Sequence, residues 1–305
     1  MSVEFCGLRL AHPVINGSGT FDAIAARRVF GAALTAAFPF SAYVSKTITL
    51  APRPGNPPPR LWEAAGGLIN SIGLPNKGLE GYLGEDLPEL AEICSGAHAD
   101  GAGAAVGIPL ITNVMGSTAA ELSTLVEACQ ERPEIAALEL NVSCPNVRTG
   151  LDIGADPEQL AEVVREVRPR TAKPLIVKLT PNTADVALCA VAAEESGADA
   201  VSLINTLRAG ALAPGRAAGS GELWLGGGFG GLSGPAVRAV ALAQVAAVAA
   251  RVRIPVIGMG GVQSASHARD LLDVGATVVA VGTESFRDPA AAAGIAHELL
   301  AGALA

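Results

Sequence analysis

Eight short aliphatic runs, separated by segments with helical periodicity, constrain the fold of this chain more than any other feature. Each run is four to six residues long and almost free of charge, which is typical of parallel strands buried on both faces. The runs cover residues 13–16, 42–46, 110–114, 136–141, 175–178, 200–204, 256–259 and 278–281. Strands that alternate with helices in this way predict an α/β fold built on a parallel sheet.

Amphipathic helices are predicted after most of these runs, at residues 119–130, 157–167, 184–196, 235–252, 265–274 and 289–300. Asp156-Pro157 and Asp288-Pro289 place a capping residue before a proline, a pattern that indicates a helix start. Eight strand–helix units in 305 residues predict a (β/α)8 TIM barrel. The units continue to the C-terminus, so we expect a single domain over residues 1–305. A doubly wound sheet is the structural alternative.

Composition excludes several classes of function. The formal net charge is −8 and no basic block of five or six residues occurs, so binding to nucleic acid is not expected. The longest apolar stretch, residues 239–250, is too short to cross a membrane, and no signal-peptide pattern opens the chain. We therefore expect a cytoplasmic location. The 5 cysteines include no CxxC pair, which argues against a zinc or iron–sulfur centre and predicts reduced thiols.

Two segments interrupt the alternation of strands and helices. Residues 49–88 are rich in proline and glycine, and residues 208–231 are rich in glycine and lack periodicity. Because the catalytic loops of a barrel follow its strands, we expect both segments to form lids at the C-terminal face. For residues 208–227, a mobile surface insertion is an equal alternative.

Glycine-rich turns follow the seventh and eighth runs. The first reads Gly258-Met-Gly-Gly-Val262 and the second begins Gly282-Thr283, while Gly230-Gly-Leu-Ser-Gly234 precedes a predicted helix. Glycines at these positions allow backbone N–H groups to approach a phosphate near a helix N-terminus. The alternative interpretation is a set of tight turns with no ligand.

Polar side chains stand at the ends of several runs. Lys46 and Lys178 follow residues that should be buried, and Asn113, Asn141 and Asn205 occupy similar positions. A buried ammonium needs a partner, and an anion at the barrel mouth would supply one; an ordinary surface position is the alternative for each lysine. Asparagine both donates and accepts hydrogen bonds, so the set predicts a site for a flat, polar heterocycle.

Cys144 is the strongest candidate for chemistry. It lies just past the fourth run, in Asn141-Val-Ser-Cys-Pro-Asn-Val147, where a thiol could be exposed and ionise. The histidines lie outside every motif, at His12, His98, His267 and His297. A Cys–His nucleophile is therefore not indicated, and a cysteine that acts as general base on a carbon acid fits better.

Taken together, these motifs resemble the class 1 dihydroorotate dehydrogenases over essentially the whole chain. The resemblance rests on Asn141-Val-Ser-Cys-Pro-Asn146, Asn70-Ser-Ile-Gly-Leu74, Ile204-Asn-Thr206, Gly230-Gly-Leu-Ser-Gly234 and Gly258-Met-Gly-Gly261. The continuation Val147-Arg-Thr-Gly150 and the segment Gly55-Asn-Pro-Pro-Pro-Arg60 resemble subclass 1B more than 1A. The resemblance implies oxidation of (S)-dihydroorotate to orotate in de novo pyrimidine biosynthesis, on a barrel that binds FMN.

The same resemblance implies a role for individual residues. It implies that FMN is held by Ser18, Lys46, Thr47, Asn113, Asn141, Lys178, Ile204, Gly234, Gly260, Gly261, Gly282 and Thr283. It implies that dihydroorotate is held by Lys46, Asn70, Ser71, Ile72, Gly73, Leu74, Asn141, Asn146, Asn205 and Thr206. Cys144 would remove the C5 proton while C6 passes hydride to FMN, and Lys178 would stabilise negative charge on the reduced flavin.

Subclass 1B also implies partners. We expect a homodimer that pairs with a second subunit carrying FAD and a [2Fe–2S] cluster, through which electrons reach NAD. Residues 208–228 and Lys77 depart from the family pattern near the expected lid and subunit contacts. Two alternatives remain: an FMN barrel similar to dihydropyrimidine dehydrogenase that acts on uracil or thymine, and a non-catalytic barrel that binds flavin or phosphate.

Overall fold

The strands and helices of the chain are given by a computed structural model that describes residues 2–97, 107–142 and 153–302. Within these ranges the strands are β1 (Val3–Phe5), β2 (Leu8–Leu10), β3 (Val14–Asn16), β4 (Tyr43–Val44), β5 (Leu61–Ala64), β6 (Gly67–Asn70), β7 (Leu110–Val114), β8 (Ala137–Asn141), β9 (Leu175–Lys178), β10 (Ala200–Leu203), β11 (Leu207–Ala209), β12 (Gly230–Ser233), β13 (Val256–Met259) and β14 (Val278–Val281). The α-helices are α1 (Ala23–Phe30), α2 (Ala32–Ala36), α3 (Gly78–Gly81), α4 (Leu87–Gly96), α5 (Ala119–Gln130), α6 (Pro157–Val167), α7 (Val186–Glu195), α8 (Arg238–Ala249), α9 (Ala265–Asp273) and α10 (Ala291–Ala301).

Eight parallel strands form the barrel, in the order β3-β14-β13-β10-β9-β8-β7-β4. Each of the eight predicted runs contains one of these strands, so the predicted (β/α)8 barrel is confirmed and the doubly wound alternative is excluded. The predicted second strand, 42–46, is shorter and covers only Tyr43–Val44. Its ladder ends early because the N–H of Asn113 donates to the Ser45 hydroxyl (3.1 Å) instead of a backbone carbonyl.

The seam between β3 and β4 is closed by a side chain. Asn16 is fully buried at the end of β3, and its Nδ2 donates to the Val44 carbonyl at 2.7 Å. The Val44 N–H donates back to Asn16 Oδ1 at 2.8 Å. The amide group of Asn16 thus replaces a pair of backbone hydrogen bonds across the seam.

The helices follow the sequence pattern closely. The predictions for 119–130 and 157–167 match α5 and α6, which are capped by Thr118 and Asp156. The prediction for 235–252 is wrong at both ends, because residues Pro235–Val237 form a 3₁₀ turn and α8 ends at Ala249. None of the helices in the described ranges has both the length and the apolar composition that a membrane crossing needs.

A β1–β2 hairpin, which the sequence pattern did not predict, closes the end of the barrel opposite the polar side chains at the strand ends. Phe5 and Leu10 are 1% exposed and pack with Ile15 and other residues of the barrel interior. The turn residues Cys6 and Gly7 have φ values of 50° and 78°. Asparagine followed by glycine would have indicated such a turn, whereas cysteine at the first position gave no signal.

Four antiparallel strands form a second sheet, which we name the cap sheet, in the order β11-β12-β6-β5. The strands come from the two segments that interrupted the alternation, which contain strands at both ends of residues 208–231 and in part of 49–88 that the periodicity did not predict. Between β11 and β12, Trp224 packs edge-on against Trp62 of β5, with ring centroids 6.0 Å apart. Packing between the two tryptophan side chains therefore stabilises a sheet whose segments are rich in glycine.

Candidate active site

Inside the barrel an apolar layer lies next to a polar one. The apolar layer includes Ile111, Ala137, Ile176 and Ala200. Two residues further along the same strands, and therefore on the same face, come Asn113, Glu139, Lys178 and Ser202, which we name the polar layer. All four are at most 5% exposed. Because they lie toward the C-terminal ends of the parallel strands, they form the floor of the barrel mouth, where the active sites of such barrels lie.

Glu139 connects three strands within the polar layer. Its Oε2 accepts from Asn113 Nδ2 at 2.5 Å, and its Oε1 accepts from the Ser202 hydroxyl at 2.6 Å. Neither Glu139 nor Ser202 was among the predicted site residues. The signal that could have found Glu139 is a carboxylate between two leucines, Leu138 and Leu140, because an ionised side chain is costly to bury without partners.

Two groups of the polar layer lack a partner among the described residues. Asn113 Oδ1 is buried and accepts no hydrogen bond there. Lys178 is 5% exposed, and within the described ranges its ammonium takes part in none of the salt bridges or hydrogen bonds. An unmatched buried polar group costs roughly 1–3 kcal/mol. A ligand that brings an N–H donor and negative charge would satisfy both groups.

Ser18, Thr47 and Asn141, three of the predicted cofactor residues, lie together beside this layer. Asn141 Nδ2 donates to Thr47 Oγ1 at 3.1 Å, and the Ser18 and Thr47 hydroxyls are 3.4 Å apart. Ser18 also donates to the Ser45 carbonyl at 2.8 Å. The structure therefore brings together predicted residues from three separate strand ends.

Lys46, predicted to contact both ligands, is half exposed at the mouth and paired with Asp22. Its Nζ lies 2.6 Å from Asp22 Oδ2, while the other carboxylate oxygen caps α1 through the Ala25 N–H at 3.0 Å. Partial burial raises the pKa of Asp22, but the Ala25 N–H and the Lys46 ammonium outweigh burial and hold it below its ordinary value. Any ligand carboxylate must share Lys46 with Asp22 or displace it, a competition that sequence reasoning missed.

The predicted phosphate turns approach each other closely. Gly260 and Gly261 have φ values of 131° and 70°, and Gly234 has 88°. A Cβ added to Gly261 would lie 2.9 Å from the Gly234 carbonyl oxygen, and one added to Gly260 would lie 3.2 Å from Ile204 Cγ1. This geometry requires glycine whether or not a phosphate binds, so it agrees with both interpretations of these turns.

Gly282 and Thr283 complete this group. Thr283 follows β14, and its hydroxyl donates to Ser233 Oγ at 2.8 Å, next to Gly234. A Cβ on Gly234 would lie 3.6 Å from Thr283 Cγ2, and one on Gly282 would meet no atom closer than 3.7 Å. The backbone at Gly282 is therefore open enough for a ligand to approach.

The predicted substrate segment 70–74 continues from β6 of the cap sheet. Asn70 Nδ2 donates to the Gly231 carbonyl at 3.2 Å. The Ser71 N–H donates to Arg60 and its hydroxyl donates to Phe229, so Ser71 is occupied within the cap sheet. Ile72 follows, and then Gly73 and Leu74 both have positive φ, 76° and 55°, which turn the chain sharply. Among the described residues, the backbone N–H groups of this segment that remain for a ligand follow Ser71, at Ile72, Gly73 and Leu74.

Asn205 and Thr206 follow β10 and lie against the same sheet. Asn205 Oδ1 accepts from the Thr206 N–H at 2.8 Å, and the Thr206 carbonyl accepts from Asn182 Nδ2 at 3.0 Å. A Cβ on Gly231 would collide with Thr206 Oγ1. The end of β10 is thus held to the cap sheet, which connects the predicted substrate residues to the barrel mouth.

Cys144 and Asn146 lie outside the described residues, so their predicted roles stay predictions. The other thiols are in surroundings that disfavour ionisation. Burial raises the pKa of Cys94 and Cys129 to about 12, and burial together with Asp199 raises that of Cys6 to about 12. Burial also raises the pKa of Cys189. These four cysteines are suited to packing rather than to proton transfer.

Fold and site together define a barrel enzyme whose mouth is built for an anionic, hydrogen-bonding ligand. The family model for dihydroorotate dehydrogenase matches residues 1–302. A relative in Geotalea daltonii is 42% identical over 300 residues, 97% of this chain and 90% of that protein. A Pelobacter propionicus relative is 43% identical over 305 residues, 97% of this chain and 91% of that protein. Both are named dihydroorotate dehydrogenase B (NAD(+)), catalytic subunit. The chain belongs to the dihydroorotate dehydrogenase family, which confirms the resemblance, and it is an oxidoreductase.

Proposed function

We propose that this chain oxidises (S)-dihydroorotate to orotate in de novo pyrimidine biosynthesis, with FMN bound at the mouth of the barrel. The dihydroorotate dehydrogenase family is flavin-dependent, and FMN is the flavin that the resemblance implies. The observation that supports a flavin most directly is the polar layer, where Asn113 Oδ1 is buried without a described partner and Lys178 is 5% exposed with no ion pair among the described residues. The barrel, the polar layer and the family argue against the non-catalytic alternative.

The residues present fit FMN in two places. Asn113 Oδ1 can accept from a ring N–H, and the buried Lys178 can offset negative charge on the ring. Ser18, Thr47 and Asn141 add polar groups beside them. The phosphate would be held by backbone N–H groups of the turns at Gly260–Gly261 and Gly282–Thr283, with Gly234 and Ile204 packed against them.

Lys46 would bind the carboxylate of dihydroorotate. Its ammonium is half exposed at the mouth, so it can turn from Asp22 to a substrate without a large burial cost. The remaining contacts to dihydroorotate would come from Asn70, Ile72, Gly73, Leu74, Asn141, Asn146, Asn205 and Thr206. Ser71 would hold this segment in place through its own hydrogen bonds to Arg60 and Phe229. A carboxylate site of this kind favours dihydroorotate over dihydrouracil, which carries no carboxylate.

Cys144 would act as the general base. Its thiolate takes the proton from C5, the C5=C6 double bond of orotate forms, and the hydride leaves from C6. When bound, FMN supplies the acceptor for that hydride. A free thiol has a pKa of roughly 8.5, so turnover should rise with pH as Cys144 ionises.

Electrons would pass onward through a second subunit. The relatives are named as NAD(+)-dependent catalytic subunits, which supports a partner carrying FAD and a [2Fe–2S] cluster and a core homodimer of this chain. The sequence has no CxxC pair of its own, so the cluster would lie on the partner.

The test is anaerobic mixing of the FMN-loaded chain with dihydroorotate or dihydrouracil while visible flavin absorbance is followed. We expect dihydroorotate to bleach the flavin and dihydrouracil to leave it oxidised. Bleaching by dihydrouracil in preference would support the alternative enzyme of uracil or thymine metabolism. A chain that binds FMN but is bleached by neither compound would contradict the proposal.

A further inference from the structure

Glu139 occupies a position where an ionisable side chain is costly. It lies within β8 inside the barrel and is 2% exposed. Both of its carboxylate oxygens are used, by Asn113 Nδ2 of β7 at 2.5 Å and by Ser202 Oγ of β10 at 2.6 Å. A side chain placed only for packing would not need two charge-assisted hydrogen bonds to neighbouring strands, so the carboxylate has a further effect on its partners.

The effect of Glu139 on Asn113 is directional. An amide group has a donor end and an acceptor end, whereas a carboxylate can only accept. If the Asn113 amide were reversed, Oδ1 would face a Glu139 oxygen and two acceptors would repel each other. Glu139 therefore holds Nδ2 toward itself and leaves Oδ1 on the other side, where it is buried and accepts no hydrogen bond from the described residues.

We infer that Glu139 is a positioning residue that makes the barrel mouth select a ligand with a ring N–H, because it fixes Asn113 with its acceptor oxygen toward that ligand. This inference rests on the proposed flavin site. The isoalloxazine ring of oxidised FMN carries a single N–H, at N3, and methylation of that nitrogen removes the donor. Selection against N3-methyl-FMN is thus the property that Glu139 should control.

The experiment compares the dissociation constants of FMN and N3-methyl-FMN for the wild-type chain and for Glu139→Gln, measured by quenching of flavin fluorescence. Glutamine has nearly the same volume and keeps a hydrogen bond to Asn113, but it can donate as well as accept. The Asn113 amide can therefore reverse against the substituted side chain and present an N–H to the methylated flavin. The preference for FMN should fall by about tenfold, the loss that one directed hydrogen bond represents.

The comparison isolates the hydrogen bond because steric effects of the methyl group are the same in both proteins. Thr112→Val is the matched control. Thr112 is also fully buried on β7, but its hydroxyl bonds to Tyr82 (2.7 Å) outside the barrel. We expect this variant to lower the melting temperature and keep the wild-type preference. Should Glu139→Gln fail to fold, Glu139→Asp keeps the carboxylate but shortens the side chain by one methylene, so the Asn113 amide is held less firmly and the preference for FMN should also fall.

Three results would overturn the inference: an unchanged preference in Glu139→Gln, equal binding of both flavins by the wild type, or an equal loss of preference in Thr112→Val. Failure of the proposed function looks different, because a wild-type chain without a flavin site would bind neither FMN nor its methylated analogue. The two ideas can therefore fail separately.

Discussion

At the scale of single residues, the site contains both residues that the sequence predicted and residues that it did not. Lys178, Asn113 and Asn141 were predictable because polar residues at the ends of buried strands must meet at one edge of a parallel barrel. Glu139 and Ser202 were not predicted, because the sequence does not show which face of each strand points into the barrel. The pairing of Lys46 with Asp22 depends on how α1 begins, which local sequence does not determine.

Replacement of Cys144 tests the proposed base. Cys144→Ala should reduce the rate of flavin reduction by dihydroorotate by roughly 10²–10⁴-fold, since general base catalysis typically contributes that much. The measurement is rapid anaerobic mixing. Cys94→Ala is the control, because Cys94 is buried with its pKa raised to about 12, and its loss should leave the rate close to wild type. A Cys144→Ala rate within about tenfold of wild type would show that another group removes the proton.

Replacement of Lys178 tests whether its ammonium group binds the flavin. Lys178→Met should raise the melting temperature of the flavin-free chain, because it removes a buried ammonium without a described partner. The same variant should bind FMN at least about tenfold more weakly, so the stabilisation gained on adding FMN should shrink.

Lys173→Met is the control for Lys178→Met. The Lys173 ammonium already donates to the Arg132 and Ile135 carbonyls at 2.9 and 2.8 Å. Its loss should therefore lower the melting temperature and leave FMN affinity unchanged. A Lys178→Met chain that melts earlier than wild type and binds FMN normally would mean that Lys178 has a structural partner instead.

At the scale of elements, periodicity predicted the barrel strands and most helices, while three features escaped it. The β1–β2 hairpin has strands of only three residues and a cysteine in its turn. The cap sheet is built from proline- and glycine-rich segments whose pairing spans more than 130 residues, as between β6 and β12. At the seam between β3 and β4, the Asn16 side chain makes the hydrogen bonds that backbone groups make elsewhere in the barrel. The pairing of β6 with β12 and the Asn16 seam join residues distant in sequence, which a local pattern does not contain. The hairpin pairs close neighbours, Val3 to Leu10, but its strands are too short to show a pattern.

The turn after β13 gives a prediction at this scale. Gly260→Ala should destabilise the fold by about 1–3 kcal/mol, because φ is 131° and the new Cβ would lie 2.7 Å from Ala241 Cβ. Gly294→Ala is the matched control, since no atom lies within 4 Å of its added Cβ and Gly294 is inside α10. It should stabilise by about 0.5–1 kcal/mol. Urea unfolding measures both, and a Gly260→Ala chain as stable as wild type would refute the close packing of this turn.

At the scale of the whole molecule, the barrel and the polar layer support the chemistry, while the electron acceptor depends on other chains. The single-domain organisation, the homodimer and the partner subunit stay predictions. Residues 208–228, which depart from the family pattern, supply most of β11, the edge strand of the cap sheet. Since β11 is an edge strand and Phe229 is 51% exposed, this part of the molecule is accessible to another chain.

The proposed electron route predicts that this chain oxidises dihydroorotate and that the partner subunit reduces NAD. The purified FMN-loaded chain should transfer electrons from dihydroorotate to an artificial dye but not to NAD. Addition of an FAD and [2Fe–2S] subunit of the expected type should restore NAD reduction, followed by absorbance of NADH. Full NAD reduction by this chain alone would contradict the assignment to subclass 1B.

A crystal structure of the chain with FMN and orotate would test the proposed site directly. Both ligands should lie at the C-terminal ends of the barrel strands, with the flavin ring against Asn113 and Lys178. The Cys144 sulfur should lie roughly 3–3.5 Å from C5 of orotate, the distance expected of reacting atoms. A flavin bound elsewhere, or a Cys144 sulfur directed away from the orotate ring, would contradict the proposed site.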